Sequence, residues 1–292
     1  MISIRSSDLA LLIGITFIWG INLITSKIGV NEIPPLLFTF LRFLLVVIVL
    51  APVLRVHPGQ MGTLTIAALL SGALHFSLSF AGLRRATNVS SVAIITQLGV
   101  PFATLLSVLM LGEVVRWRRI TGITLSFIGV VILGFDPQIG DRWESVALVT
   151  GSAFFGALGL IFIKKLKDFA PAELLGWTYL ISLPPLLVVS LALERPDLGS
   201  LLDISWAAWG SLLFAAFAAS LFAHSGYYRL VQRYPVTSVA PLTTLSPVFS
   251  IFFGVMLLGD HLTSRIVFGG ICTLIGVLII TLRERRIVDT GL

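Results

Sequence analysis

The chain has 292 residues, of which 57% are hydrophobic and 12% are charged, and its mean hydropathy is +1.02. A soluble domain carries about twice this charged fraction, so the composition excludes an ordinary soluble protein and predicts a surface that mostly faces lipid. A single cysteine, Cys272, excludes a disulfide framework and a cysteine-rich metal site. The net charge of +6 comes from basic residues in short connections between apolar segments, which indicates membrane topology rather than nucleic-acid binding.

The apolar segments predict an all-α membrane protein. Since a helix crosses a bilayer with about 20 mostly apolar residues, we predict ten spans. In chain order they cover residues 8–28, 34–54, 62–83, 89–112, 117–135, 144–165, 171–193, 205–230, 236–258 and 263–282. The connections are too short for a soluble domain. No cleavable signal peptide is expected, because the first apolar segment is too long and lacks a small-residue cleavage site.

The fourth and fifth predicted spans are repeated as the ninth and tenth. Residues 90–135 align without a gap on residues 237–282 at a constant offset of 147, and roughly a third of the paired positions are identical. The spans divide into five in residues 1–140 and five in residues 141–292. Because five is odd, the second copy enters the membrane from the opposite face. The halves are therefore predicted to be inverted repeats related by a pseudo-two-fold axis in the membrane plane, an arrangement that suits alternating access.

The distribution of Lys and Arg predicts the orientation. Thirteen of them fall on the side of the N-terminus and six on the other side, with Arg42 inside a span. The positive-inside rule therefore predicts that both termini are cytoplasmic.

Several short motifs resemble the EamA-type proteins of the drug/metabolite transporter superfamily. In the first half they are Trp19-Gly20-Ile21-Asn22, Leu41-Arg42-Phe43 and Leu111-Gly112-Glu113, and in the second half Thr237-Ser238-Val239-Ala240-Pro241 and Leu258-Gly259-Asp260. The resemblance implies ten helices, inverted repeats and export of small metabolites. It is closest to bacterial amino-acid exporters, including those for aromatic amino acids. The second half departs from the pattern with Phe155-Gly156 and has no equivalent of Arg42.

Three ionisable side chains within predicted spans are candidate functional groups. Arg42 is expected either to attract a substrate carboxylate in a wet cavity or to bond backbone carbonyls or a neighbouring helix, since an unpaired charge there costs several kcal/mol. His75 and His224 could couple transport to protons, or could be neutral hydrogen-bonded groups facing the cavity. No Asp or Glu falls near the centre of a span, which favours uncoupled, gradient-driven transport and disfavours cationic drugs.

Polar and aromatic side chains of several spans are predicted to line a pocket for an amphiphilic solute. They are Trp19, Asn22, Arg42, His75, Phe76, Ser79, Gln97, Phe155, Trp177, Tyr179, His224, Tyr227 and Thr244.

Prolines and glycines of the repeated helices are predicted to shape the bundle. Pro101, Pro241 and Pro247 are candidate kinks or gating points, because proline removes a backbone hydrogen bond. Gly122 and Gly129 match Gly269 and Gly276, and each pair falls on one helix face. We predict that the fifth and tenth helices pack together through these glycines.

The function predicted from the sequence is export of amino acids, aromatic and other neutral ones above all, or of related small metabolites, from the bacterial inner membrane by alternating access. The alternatives are a proton-coupled drug/metabolite antiporter that uses His75 or His224 and a channel. An enzyme is not expected, because the four histidines are scattered and no HExxH or GxSxG motif occurs. No cofactor, metal or nucleic-acid partner is predicted. Membrane lipid and a small-molecule substrate are the expected partners, and the protein is expected to be a monomer or a dimer.

Overall fold

The computed structural model describes residues 5–112, 117–136, 143–197, 199, 203–234 and 243–282, and these form helices and connections without a β-strand. The helices are α1 Ser6–Glu32, α2 Pro35–Val53, α3 Met61–Arg85, α4 Val89–Met110, α5 Trp117–Gly134, α6 Trp143–Ile163 and α7 Pro171–Glu194, followed by α8, which is made of Trp206–Leu213, Phe214–His224 and Ser225–Arg233, and by α9 Leu245–Leu258 and α10 Ser264–Leu282.

The lengths of these helices show a multi-pass membrane protein. Eight of them, α1 to α8, are long and apolar enough to cross a bilayer. The helices α9 and α10 are apolar but shorter in the described residues. The ninth predicted span starts at residue 236, and residues 235–242 lie outside the described part of the chain. Ten crossings therefore stay a prediction.

The helices pack in pairs that follow the order of the two halves. α1 packs against α8 and α9, while α6 packs against α3 and α4. α2 packs against α7, and α5 packs against α10. If each helix of the first half is exchanged with the helix five places later in the chain (α1 with α6, α2 with α7, and so on), the same set of pairs results. This is the pattern expected when two similar units are related by a two-fold axis.

The contact between α5 and α10 is made backbone to backbone at two glycine pairs. A Cβ atom on Gly129 would lie 2.5 Å from the carbonyl oxygen of Gly269, and one on Gly269 would lie 2.6 Å from that of Gly129. At the other crossing, a Cβ on Gly276 would lie 2.5 Å from the carbonyl oxygen of Gly122. The register of the pairs makes the helices antiparallel. Because no side chain fits at these positions, only glycine allows this close approach.

A reciprocal hydrogen bond lies between the two glycine pairs. The hydroxyl of Ser126 donates to the Gly122 carbonyl at 2.9 Å and shares this hydrogen with the Thr273 carbonyl at 3.4 Å. The hydroxyl of Thr273 likewise donates to the Gly269 carbonyl at 2.8 Å and shares its hydrogen with the Ser126 carbonyl at 3.4 Å. Ser126 and Thr273 are 147 residues apart, which is the offset of the sequence repeat. Equivalent residues thus meet each other, as at a two-fold isologous contact.

Irregular backbone occurs in five of the long helices, α2, α3, α4, α7 and α8. The segments Leu69–Leu74 in α3 and Phe214–His224 in α8 are π-helical, and they end next to His75 and at His224. π-Helical turns are rare and often occur at functional sites. In α4, a 3₁₀ turn at Thr96–Leu98 precedes Pro101, since the proline cannot donate a hydrogen bond to the preceding turn.

Sequence reasoning did not single out the irregular part of α7. Pro184 and Pro185 lie inside this helix, and a π-helical segment, Ser190–Glu194, follows them. Pro247, in contrast, occupies the first turn of α9, where a missing N–H leaves no helical hydrogen bond unmade. Pro241 lies outside the described residues.

Candidate functional site

A cavity of about 470 Å³ lies inside the bundle, within the size range of small-molecule sites. Most of its wall comes from α3, α4, α6, α7 and α8. The lining residues are Ser71, His75, Phe76, Thr96, Gly99, Val100, Ala103, Thr104, Ser107, Arg119, Ala153, Gly156, Ala157, Leu160, Ile163, Lys164, Leu175, Thr178, Tyr179, His224, Tyr227, Thr243 and Ile280.

Five of the predicted pocket residues line this cavity, namely His75, Phe76, Tyr179, His224 and Tyr227. The lining does not include Trp19, Asn22, Arg42, Ser79, Gln97, Phe155, Trp177 or Thr244. Some of these have other contacts instead: the hydroxyl of Ser26 donates to Asn22 Oδ1, the ring of Phe155 packs against that of Phe154, and the indole N–H of Trp177 donates to the carbonyl of Arg55 at the surface.

Sequence reasoning missed the walls that α4 and α6 contribute. They are built from small or hydroxyl-bearing residues such as Thr96, Ala103, Thr104, Gly156 and Ala157. A search for aromatic and ionisable groups overlooks such residues. The feature of the sequence that could have indicated these walls is the large number of small residues in α4 and α6, because small side chains leave space for a solute.

His75 is held by α6. Its Nδ1 lies 2.9 Å from both the carbonyl oxygen and the hydroxyl of Ser152. Because a carbonyl only accepts, Nδ1 carries the proton, which leaves Nε2 as an acceptor in the neutral ring. The ring also lies against Gly156, where a Cβ would come within 2.7 Å of Nδ1. The position of His75 thus depends on a glycine at 156.

His224 is held by the π-helical turn of its own helix and by α1. Its Nδ1 faces the carbonyl of Ala219. The indole of Trp19 lies 5.1 Å from the ring of His224 and 5.2 Å from that of Tyr227, and its N–H donates to the same carbonyl. Trp19 therefore supports two cavity residues from behind instead of lining the cavity itself.

Arg42 lies behind the cavity wall and is 1% exposed. Its Nε donates to the hydroxyl of Ser220 at 3.0 Å, and the hydroxyl of Tyr179 donates to the same oxygen at 3.2 Å. The guanidinium lies 5.0 Å from the ring centre of Phe76. Since Phe76 and Tyr179 both face the cavity, one layer of side chains separates Arg42 from it.

The charge of Arg42 is incompletely satisfied. Its Nη1 is buried without a hydrogen-bond partner, and no carboxylate of the described residues forms an ion pair with it. The bond to Ser220 joins Arg42 to the neighbouring helix α8, as in the predicted structural alternative, but Nη1 stays without a partner. A buried guanidinium without an anion is unstable by several kcal/mol, which makes the site receptive to one.

The lining of the cavity reaches the end of the bundle that carries Arg119 and Lys164, here called the inner end. It is the end that the positive-inside rule predicts to be cytoplasmic. The described lining contains Arg119, Lys164 and two histidines, and no Asp or Glu is among its residues. This charge distribution attracts carboxylates and repels organic cations.

At the opposite end, here called the outer end, Asp260 ties the loop after α9 to the start of α4. Its carboxylate accepts hydrogen bonds from the backbone N–H of Val89 at 3.3 Å and of Ser90 at 2.7 Å, and from the Ser90 hydroxyl at 2.7 Å. A carboxylate at a helix N-terminus also interacts favourably with the helix dipole. Asp260 is 8% exposed, so this contact is shielded from water.

Lys27 of α1 ties the same end to α3. Its ammonium donates to the carbonyls of Leu83, Arg84 and Ala86 at 2.8, 2.9 and 2.7 Å. A cation at a helix C-terminus satisfies carbonyls that the helix itself leaves unpaired. Lys27 thus joins two helices of the first half at the outer end, and Asp260 joins the first half to the second. We refer to these two sets of contacts as the outer closure.

Metal binding has no support in the described residues, which contain no group of three His, Cys, Asp or Glu side chains that could hold an ion.

Comparison with known proteins places the chain among transporters. The model of the EamA-like transporter family matches residues 7–135 and again residues 143–282. A Salmonella typhimurium protein named a probable amino-acid metabolite efflux pump is 30% identical, over 94% of each chain. An Escherichia coli protein of the same name is 28% identical over 98% of this chain and 99% of its own. A solved crystal structure with 20% identity has a TM-score of 0.63 over 97% of this chain and 99% of that chain, which shows a shared fold.

Proposed function

Because the chain belongs to the EamA-like transporter family, as its motifs predicted, we propose that it exports neutral amino acids, aromatic ones included, or closely related metabolites from the bacterial cytoplasm. The observation that carries this proposal is the cavity, whose lining of aromatic rings, hydroxyl groups and basic side chains reaches the inner end, while the contacts of Lys27 and Asp260 hold the helices together at the outer end. Two relatives named as amino-acid metabolite efflux pumps support it over nearly the whole chain.

The chemistry of the cavity favours a solute with a carboxylate and an apolar side chain. Arg119 and Lys164 at the mouth attract the carboxylate, and Arg42 is the buried cation behind the wall that lacks an anion. The rings of Phe76, Tyr179 and Tyr227 offer an apolar surface. We infer that the carboxylate is drawn to Arg42 when Phe76 shifts.

Replacement of Arg42 by lysine tests this role. Lysine keeps the charge but loses the planar fork of donors, so we expect KM for an exported amino acid to rise about tenfold, roughly 1.4 kcal/mol. Transport of the corresponding N-acetylated amino-acid amide, which is neutral and lacks the carboxylate, should change little. Flux of both compounds into proteoliposomes measures the difference. An equal loss for both compounds would show that Arg42 only supports the fold.

We propose alternating access as the mechanism, on the strength of the paired helix contacts and the reciprocal Ser126–Thr273 bonds. In an inverted pair, the closure at one end has a counterpart at the other. Lys27, near the end of the first helix of one half, closes on the C-terminus of α3. The basic residue at the corresponding end of the second half's first helix is Lys164, just after α6, which lines the cavity. We expect Lys164 to bind the carbonyls at the C-terminus of α8 when the inner end closes.

The driving force is proposed to be the solute gradient alone, since no carboxylate occurs in the described lining of the cavity. The second candidate is proton coupling through His75 or His224, which both line the cavity. An imposed pH gradient distinguishes them. Uptake against the solute gradient, lost in a His75→Gln or His224→Gln variant, would establish the coupled mechanism instead.

Counterflow in proteoliposomes tests the transporter itself. Unlabelled amino acid on one side should accelerate exchange of labelled amino acid from the other side, which a channel cannot do. A Gly156→Ala variant should lose more than nine-tenths of this exchange, because its Cβ displaces His75 into the cavity. The control is Gly151→Ala in the same helix, where the Cβ meets only Leu78 at 3.5 Å. Comparable exchange in both variants would contradict the proposed site.

A further inference from the structure

A second cavity, of about 900 Å³, lies on the other side of α3 from the first. It is bounded by α2, α3 and α7, with one residue from α6. Its lining residues are Pro35, Leu36, Leu69, Ala73, Leu74, Ser77, Leu78, Ala81, Arg84, Arg85, Leu148, Pro185, Leu186, Val189, Leu193 and Glu194. The wall is apolar along most of its length, and its three charged residues, Arg84, Arg85 and Glu194, gather at the outer end. We call this cavity the lateral groove.

The charges at the end of the groove are not balanced. The Glu194 carboxylate is engaged by the backbone N–H groups of Leu36 and Leu37 and by the hydroxyl of Ser190. Its negative charge is thus offset by the N-terminus of α2. Both arginines are exposed, and the Arg84 guanidinium has no hydrogen bond or ion pair within the described residues.

Arg85 is only weakly neutralised. It forms a 3.3 Å ion pair with Glu144, but the two side chains are 48% and 62% exposed, and such pairs contribute little. The mouth of the groove is therefore positive, while its interior is apolar.

The apolar wall and the positive mouth of the groove determine which molecules can bind there. Water has too few polar partners along the Leu, Ala and Val side chains to fill the space. Acyl chains match the wall, and basic pockets beside membrane helices suit anionic headgroups. We propose that the lateral groove binds a phospholipid with an anionic headgroup, its acyl chains lying along α3 and α7 and its phosphate at Arg84 and Arg85.

The site would act on the transporter through α3, which forms the wall between the two cavities. Ser71 and His75 face the inner cavity, whereas Ala73 and Leu74 face the lateral groove. These residues lie in or next to the π-helical segment Leu69–Leu74. A lipid in the groove thus supports the part of α3 that holds His75 in place.

Lipid retention by the purified full-length protein tests the proposal. Phosphatidylglycerol and phosphatidylcholine with identical acyl chains are added in detergent, and bound lipid is measured by native mass spectrometry together with the melting temperature. We expect phosphatidylglycerol to be retained preferentially and to raise the melting temperature. Each of Arg84→Gln and Arg85→Gln should weaken this preference about fivefold.

Two further variants make the outcome specific. Arg195→Gln removes a positive charge near the end of α7 but outside the groove, and it should keep the full preference. Leu74→Trp fills the groove without changing the charge, so it should reduce retention of both lipids even if the arginine variants fold poorly. The proposal is overturned if all variants retain phosphatidylglycerol equally, if neither lipid is retained, or if glycerol phosphate alone gives the same stabilisation.

Discussion

A disulfide between positions 90 and 254 should stop transport while leaving the inner cavity open. A Cβ atom on Gly254 would lie 2.9 Å from the side-chain oxygen of Ser90, which is close to the spacing that a disulfide needs between a sulfur and the opposite Cβ. In a Cys272→Ala background, the Ser90→Cys/Gly254→Cys pair would join the start of α4 to α9. We expect oxidation to lower counterflow at least 20-fold and reduction to restore it.

The reason lies in the outer closure. Ser90 lies where the start of α4 meets Asp260, so a disulfide to α9 at this point holds together two helices that must separate before the outer end can open. Substrate binding from the inner end should persist in the oxidised protein. Binding measured by calorimetry would separate a blocked conformational change from a damaged cavity.

The single variants Ser90→Cys and Gly254→Cys, treated with the same oxidant, control for the changes themselves. The second matters because a Cβ at 254 also comes within 2.5 Å of the Asp260 carboxylate. If the oxidised pair still transports at the rate of the single variants, α4 and α9 do not separate at this end, and alternating access by the proposed route is wrong.

Much of the fold could be predicted from the sequence, because the bilayer imposes a strong rule. Every backbone polar group at membrane depth must be bonded within the protein, so long apolar segments become helices. The family was confirmed by the comparisons, and its motifs lie at positions where the backbone has little freedom, such as Gly112 and Gly259, which both end helices with positive φ. Residues under such constraints can be recognised in a single sequence.

The cavity was harder to predict, because a residue's neighbours decide whether it lines a space. Trp19 and Arg42 were expected in the pocket, but Trp19 packs behind His224 and Arg42 lies behind Phe76. Ser220, which joins Arg42 to Tyr179, has an ordinary local sequence. Its importance comes from packing between α2, α7 and α8, which no local pattern encodes.

Replacement of Gly129 by alanine should destabilise the protein by about 3 kcal/mol, near the upper end of typical overpacking effects. The new Cβ would lie 2.5 Å from the Gly269 carbonyl oxygen and 2.7 Å from the Thr273 nitrogen. Both are backbone atoms, so α5 and α10 must move apart and lose the reciprocal Ser126–Thr273 bonds. Reversible unfolding in a detergent titration measures the loss. Gly134→Ala in the same helix meets nothing within 4 Å and should be neutral.

The same measurement tests the internal symmetry of the molecule. Gly276 is the repeat equivalent of Gly129, and a Cβ there would lie 2.5 Å from the Gly122 carbonyl oxygen and 2.7 Å from the Ser126 nitrogen. Because these surroundings match those of Gly129, Gly276→Ala should cost the same free energy of unfolding to within about 0.5 kcal/mol. The double variant should cost less than the sum, since either substitution alone already separates the helices. Unequal single costs, or fully additive ones, would mean that the two halves do not share one two-fold contact at α5 and α10.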